Sequence, residues 1–341
     1  MVLTRLLRWI GRAALWLVVL ASIAWCSAAL WVDGPAARVV AGLAAGGFVL
    51  AALGVLIALR PRWRGLIAYG VLFSAVVAWW FSLAPSNDRD WQRDVARPAT
   101  ASIEGDRLTI RNLRNFQYRS VDDYTPRWET RTYDLSRLVG MDLYFFHWGS
   151  PWIAHTIMSW EFEGGPPLAI SIETRKEVGE EYSAVRGFFR QFELYYVVAD
   201  ELDVVRLRTN FRGDEGYLYR TGWSPSDARR LLRDYVEEVN RLAAEPGWYN
   251  ALDHNCTTTI RQHIRHIGFE RAWNWRVLVN GAAPELLYMR GVVNTSVPFE
   301  ELRSRSFIGE RARAAGTGDF SQRIREGLPP RPPAHTERRP G

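Results

Sequence analysis

The sequence predicts an α+β membrane protein: three N-terminal transmembrane helices followed by an exported domain with a strand-rich half and a helical half. Three observations predict it. Residues 1–84 are strongly apolar, whereas the remainder has the mixed composition of a soluble domain. Arginines, not acidic residues, punctuate the apolar part. Past about Ser224, apolar positions stop alternating and recur at helical spacing.

Ala13 to Val32, Val39 to Leu59 and Gly65 to Leu83 contain no charged residue. Each is close to the roughly 20 apolar residues a helix needs to cross a bilayer, where lipid cannot satisfy backbone polar groups. A secretory signal is the alternative for the first run: Arg5, Arg8 and Arg12 precede it, and "SAA" near Ala28 resembles a cleavage site. Two further spans directly behind it favour a true span.

Arg5, Arg8 and Arg12 flank one end of the first span, and Arg60, Arg62 and Arg64 separate the second from the third. The loop from Asp33 to Arg38 is short and nearly neutral. The positive-inside rule then puts the N-terminus in the cytoplasm and everything after about Pro85 outside. Trp79, Trp80 and Phe81 stand where an interfacial aromatic belt belongs. The expected location is a bacterial inner membrane with a periplasmic domain.

The net charge is +6. An exported domain rarely meets nucleic acid, so none is expected as a partner. Attraction to anionic headgroups suits a tethered domain better.

Four segments follow: an anchor (1–84), a polar linker (85–101), the main domain (102–320) and a Pro/Arg-rich tail expected to be disordered (321–341). Strands are predicted at "DRLTIRNL", "RTYDL", "MDLYFFHW", "HTIMSWEF", "LAISIETR", "ELYYVVAD" and "GYLYRTGW". "EGGPP" (Glu163 to Pro167) reads as a hairpin loop, and "YSAVRGFFRQF" as a helix. Ser224, Pro225 and Asp227 open a helix that "EPGW" closes. A second starts near Cys256, and Pro284 to Arg290 reads as a short third.

Of the two cysteines, Cys26 lies in the first span and Cys256 in the exported part, so they cannot form a structural disulfide. A lone thiol in an oxidising compartment is a liability unless it is buried or used. Asn255 is a good N-cap, which puts Cys256 in the first helical turn, where the helix dipole favours a thiolate. A small buried hydrophobe at a helix start is the bland alternative.

A nucleophilic cysteine needs a base within reach. Among six histidines, His335 is in the tail and His254 sits just before the helix. His263 and His266 are two or more turns along the Cys256 helix and read as solvated. His147, among aromatics, reads as structural. His155 remains. A loop centred on Gly164–Gly165 sets His155 opposite Thr174, and a one-residue shift sets it opposite Glu173, which could hold the imidazole tautomer. Tyr249 and Asn255 are candidate supports for an oxyanion, beside backbone N–H groups. The histidines are not spaced as metal ligands and no glycine-rich phosphate loop is present, so neither metal nor other cofactor is expected.

The chain order of histidine, acid and helix-borne cysteine is that of circularly permuted papain-like enzymes, whose nucleophile follows an asparagine as Cys256 follows Asn255. More broadly, "RNFQYRSVDDYTPRWETRTYDL", "WGSPWIAHTIMSWEF", "ISIETRKEVGEEYSAVRGFFRQFELYYVVADELDVVRLRTNFR" and "YNALDHNCTTTIR" resemble the Lnb N-terminal periplasmic domain family over roughly residues 105–310. Some of its members are lipoprotein N-acyltransferases. The resemblance implies a permuted papain-like domain of antiparallel sheet plus helices. It matches Cys256 and His155 to the family cysteine and histidine, with Glu173 as third residue. Those members carry spans after the domain, whereas this chain carries them before it.

Three functions follow as expectations. The first is a thiol acyltransferase moving a fatty acyl group from membrane phospholipid to the N-terminal amine of a lipoprotein. The second is a cysteine peptidase or amidase acting on cell-wall peptides. The third is a non-catalytic membrane assembly protein with an inert Cys256.

Overall fold

The computed structural model describes residues 2–269, 274–277 and 279–334. His335, placed in the tail by the sequence, lies outside them. The chain divides into two compact units: residues 1–85 with 182–192, and residues 86–181 with 193–341.

The first unit is built on three helices, α1 (Val2–Val32), α2 (Arg38–Ala58) and α3 (Arg62–Ser82). Each is long and apolar enough to cross a membrane. Each buries only a narrow stripe: Val19, Ile23, Cys26 and Ala29 on α1, Ala41, Ala45, Phe48 and Ala52 on α2, Gly65, Tyr69 and Val76 on α3. Small residues bring the backbones close, as between helices in lipid. Ser22 and Tyr69 hydroxyls hydrogen-bond across α1 and α3 at 2.6 Å.

The second unit contains strands β1 (Thr100–Glu104), β2 (Arg107–Arg114), β3 (Gln117–Tyr118), β4 (Tyr124–Thr125), β5 (Trp128–Asp134), β6 (Leu138–His147), β7 (Ala154–Phe162), β8 (Leu168–Arg175), β9 (Glu193–Asp200) and β10 (Glu215–Arg220). Its helices are α4 (Glu201–Arg206), α5 (Pro225–Ala244), α6 (Cys256–His266), α7 (Ala283–Met289), α8 (Phe299–Ser306), α9 (Gly309–Ala314) and α10 (Phe320–Arg323). The fold is α+β. Eight strands form one sheet in the order β1-β2-β9-β8-β7-β6-β10, with β5 also on β2, and β3–β4 make a separate ribbon. The β2–β9 contact is parallel and the other pairs are antiparallel. Seven predicted strands are present. β1 and the β3–β4 ribbon, short and polar, carried no usable signal.

The central strands β6 to β9 are buried on both faces, which explains their near-continuous apolar runs. One face packs on α5: Trp160 meets Tyr235 edge-on at 5.2 Å and donates to Ala228 O at 2.9 Å. The core on Tyr144, Phe146, Ile157 and Val197 includes Val204, Ala312, Phe320 and Ile324 from α4, α9, α10 and the residue after it.

Three expectations are corrected. The polar linker is packed against the domain: Trp91, Val95 and Ala99 are buried, and the Arg175 guanidinium lies 4.1 Å from the Trp91 ring centre. A few apolar residues in a polar stretch are enough to dock it. The tail is ordered through residue 334. Arg325 pairs with Glu201 at 2.7 Å and Asp142 at 3.0 Å, and Arg331 with Asp142 at 2.9 Å and Glu161 at 2.7 Å. Glu201 and Asp142 are fully buried, so these arginines compensate charges whose isolated burial would cost several kcal/mol each. Compositional bias looked like solvation because the acidic partners are remote in sequence. Finally, "YSAVRGFFRQF" forms only a single 3₁₀ turn, Arg186–Phe188, and belongs to the first unit.

Candidate active site

α6 starts at Cys256 because Asn255 caps it. Thr257 N and Thr258 N both donate to Asn255 Oδ1 at 3.0 Å. Asn255 N donates to Thr258 Oγ1 at 3.0 Å, closing a capping box with threonine in the usual Glu/Gln place. Cys256 is thus the first helical residue, where backbone N–H groups lack helical acceptors and the dipole favours an anion. It is 9% exposed.

His155, on β7, is buried beside it. Its Nε2 lies 2.6 Å from Ser171 Oγ and 3.0 Å from Glu173 Oε1. Ser171 donates its own proton to Glu173 Oε1 at 2.7 Å. Nε2 must therefore carry the hydrogen, and the other ring nitrogen, Nδ1, is left for the hydrogen bond His155 makes with Cys256. Arg208 Nη2 holds the same Glu173 oxygen at 2.9 Å, and Arg208 Nη1 reaches Asp214 at 3.3 Å.

The register explains the meeting. β7 and β8 pair Ile157 with Ser171, the one-residue shift that points His155 at Glu173 rather than Thr174. Gly164, at φ 66°, supplies the left-handed residue of the connecting turn.

Neighbouring charges and hydrogen bonds shift all three groups. Burial opposes a Cys256 thiolate, but the hydrogen bond and charge of His155 outweigh it, and the thiol pKa falls below its ordinary 9.0. Burial and Arg208 oppose the His155 imidazolium, yet Glu173 and the Cys256 hydrogen bond raise its pKa above 6.5. Burial opposes the Glu173 carboxylate too, and His155 and Arg208 hold it well below the ordinary 4.5. The two shifts move toward one another, which lowers the cost of passing the proton from sulfur to imidazole.

Asn280, which sequence reasoning did not single out, completes the corner. Its side chain grips both backbone groups of Ala154: Ala154 N donates to Oδ1 at 2.8 Å, and Nδ2 donates to Ala154 O. Nδ2 also lies 3.9 Å from Cys256 Sγ. An amide nitrogen has two hydrogens, so one can serve the strand while the other faces the sulfur. The next residue must be small: a Cβ on Gly281 would run into the backbone of Pro151 and Trp152.

The fold thus brings Cys256, His155 and Glu173 together and adds Ser171, Arg208 and Asn280. Ser171 was detectable, since it shares a strand face with Glu173. Arg208 and Asn280 sit in segments without periodic signal. Asn255 is turned to the cap, with Nδ2 donating to Ala251 O at 2.8 Å. Tyr249 is buried just upstream of the loop closed by pairing of Asn250 and His254. His147 is buried edge-on to Tyr217 at 5.5 Å, in keeping with a structural role. His263 corrects the solvated reading. It is 3% exposed, with Nδ1 2.5 Å from Asp234 Oδ2 and Nε2 2.6 Å from the Tyr196 hydroxyl. The donor atoms of Asp234, His263 and His266 lie within 4.8 Å of one another, and their bonds tie α6 to α5.

Spans followed by an α+β domain with a buried cysteine–histidine–carboxylate corner define a membrane-tethered protein with a thiol centre. Residues 124–281 match the family model of the Lnb N-terminal periplasmic domain. The match is narrower than the resemblance at residues 105–310, but it contains every residue of the corner. The chain is therefore a membrane protein with a periplasmic domain. No curated protein and no solved structure matches it.

Proposed function

We propose that the protein is a membrane-anchored thiol acyltransferase of permuted papain-like type, with Cys256 as nucleophile. The observation that carries this reading is the hydrogen bond between Cys256 and an imidazole fixed by Ser171 and Glu173. In the first half-reaction, the Cys256 thiolate attacks the carbonyl carbon of a phospholipid ester. A C–S bond forms, the ester C–O bond breaks, and His155 gives its proton to the departing lysophospholipid alkoxide. In the second, the N-terminal amine of a lipoprotein attacks the thioester. His155 takes the amine proton, and the C–S bond breaks to return the thiolate.

Both tetrahedral intermediates carry an oxyanion. The Cys256 N–H at the helix start and Asn280 Nδ2 are its donors in this reading. Lipid and lipidated acceptor both lie in the membrane surface, which gives the three spans a purpose. The N-terminus is proposed to be cytoplasmic and the membrane the inner one, following the arginine distribution.

The test is intact mass of the purified full chain after incubation with phospholipid vesicles. The expected result is a fatty-acyl adduct on the wild type, removed by hydroxylamine and absent from Cys256→Ala. No adduct on the wild type or on His155→Ala, with release of free fatty acid or cleavage of peptide amides instead, would replace the transferase by a hydrolase.

A further inference from the structure

Between β8, which carries Ser171 and Glu173, and β9, the chain makes a detour. Residues 182–192 leave the sheet-bearing unit and join the one built from the spans. Arg190 fixes the detour to the outer ends of α1 and α3. Its backbone N donates to Asp33 Oδ2 at 3.2 Å, and that same oxygen accepts from Trp80 Nε1 at 2.7 Å. Its guanidinium donates to Leu83 O at 2.6 Å and Phe81 O at 3.2 Å. It also lies 4.3 Å from the Trp80 ring centre. These carbonyls are orphans at a helix C-terminus, and an arginine there satisfies them and the dipole together.

The segment folds tightly on itself. Gly187 N donates to Ser183 O at 3.0 Å and Phe189 N to Arg186 O at 3.0 Å, while the Tyr182 and Phe192 rings stack at 6.3 Å and close its ends. Phe189 and Phe192 turn inward. Tyr182, Val185 and Phe188 do not: they are 49%, 67% and 44% exposed. Three large apolar side chains thus stand out from a segment whose Arg190 lies 5.3 Å from the ring centre of Phe81, itself 66% exposed at the end of a membrane-spanning helix. The segment has two arginines and no acidic residue. An apolar and aromatic surface with cationic companions, at the level where spans leave the hydrocarbon, has the make-up of an interfacial element.

We propose that residues 182–192 form a lipid-facing interfacial segment that seats Tyr182, Val185 and Phe188 among the lipids around the exit of α3. The occupant is the bilayer, because the segment is stapled to helix ends that lipid already surrounds. The proposal does not depend on chemistry at Cys256. Its consequence is covalent: the strand bearing the acid that orients His155 and the strand after it are joined through a piece of chain resting on the membrane surface.

The experiment uses the full chain in phospholipid nanodiscs. Val185→Cys and, as reference, Val121→Cys are each made with Cys26→Ser and Cys256→Ala and labelled with a small fluorophore. Val121, in the β3–β4 loop, is 37% exposed. Lipids with a nitroxide near the headgroup end of the acyl chain are then added. Quenching at position 185 should exceed that at 121 by about twofold or more, as expected for a side chain at headgroup depth. Equal quenching at both positions would overturn the proposal. So would an unlabelled cysteine at 185 that resists a water-soluble thiol reagent while the labelled protein stays unquenched by lipid, since that result assigns the surface to a protein partner.

Discussion

Helix α6 carries two histidine–carboxylate clusters from nearly the same ingredients. At its start, His155 and Glu173 meet Cys256. Two turns on, His263 and Asp234 meet Tyr196. Each imidazole gives one nitrogen to a carboxylate, and what the other nitrogen faces separates them. His155 faces a thiol whose pKa its hydrogen bond and charge bring down against the effect of burial. His263 faces a phenol whose burial pushes its pKa well above 10.0, so it stays neutral. The Tyr235 ring also stacks on His263 at 3.9 Å and closes that side. The first cluster sets a thiol against a charged imidazole partner, the arrangement the proposed nucleophile needs, and the second joins α5, α6 and β9. A histidine–acid pair is not by itself a site; the acidity of the third group decides.

Substitutions at the two clusters should divide along that line. Cys256→Ala should abolish acyl transfer from labelled phospholipid, and His155→Ala should reduce its rate by about 10²–10⁴-fold. Asn280→Ala should lower kcat by about 10²–10³-fold with little change in KM, the pattern of a lost oxyanion donor. If KM rises while kcat holds, Asn280 only fixes Ala154.

Glu173→Gln should act through pH. The carboxylate stabilises the imidazolium, so its loss lowers the His155 pKa. Activity that needs protonated His155 is lost as pH rises through that pKa, and the alkaline limb of the profile should therefore move to lower pH. An unmoved limb would remove Glu173 from the account. Tyr196→Phe should have the smallest effect. It removes one buried hydrogen bond, costing about 1–2 kcal/mol in denaturant unfolding while leaving transfer rates near wild type. A large rate loss there would make the second cluster part of the chemistry.

Much of this was legible in the sequence, for physical reasons that differ by element. The spans are continuous charge-free apolar runs of bilayer-crossing length. β6 to β9 are buried on both faces, so their runs were equally plain. Asn255 marked the start of α6 because capping is local chemistry. His155 and Glu173 were reachable through hairpin register, which fixes side-chain pairs once the turn is placed. Arg208 and Asn280 were not reachable. Their placement depends on how the π-helical turn at Leu207–Arg212 and the loop at 279–282 pack on the sheet, which is long-range information. Arg325 and Arg331 were misread for the same cause: their partners Glu201, Asp142 and Glu161 are far away in sequence, and a Pro/Arg-rich stretch without visible partners looks solvated. The lone cysteine was the exception among remote features, since compartment and helix start together singled it out before any partner was known.

The most direct test of the central claim, that His155 activates Cys256, is the alkylation rate of Cys256 against pH, measured by peptide mass in the full chain with Cys26→Ser as background. The account predicts reactivity that persists below the ordinary thiol pKa of 9.0 in the parent and moves up toward or above it in His155→Ala. Reactivity that rises only near 9.0 in both proteins would contradict it and make Cys256 an inert buried thiol.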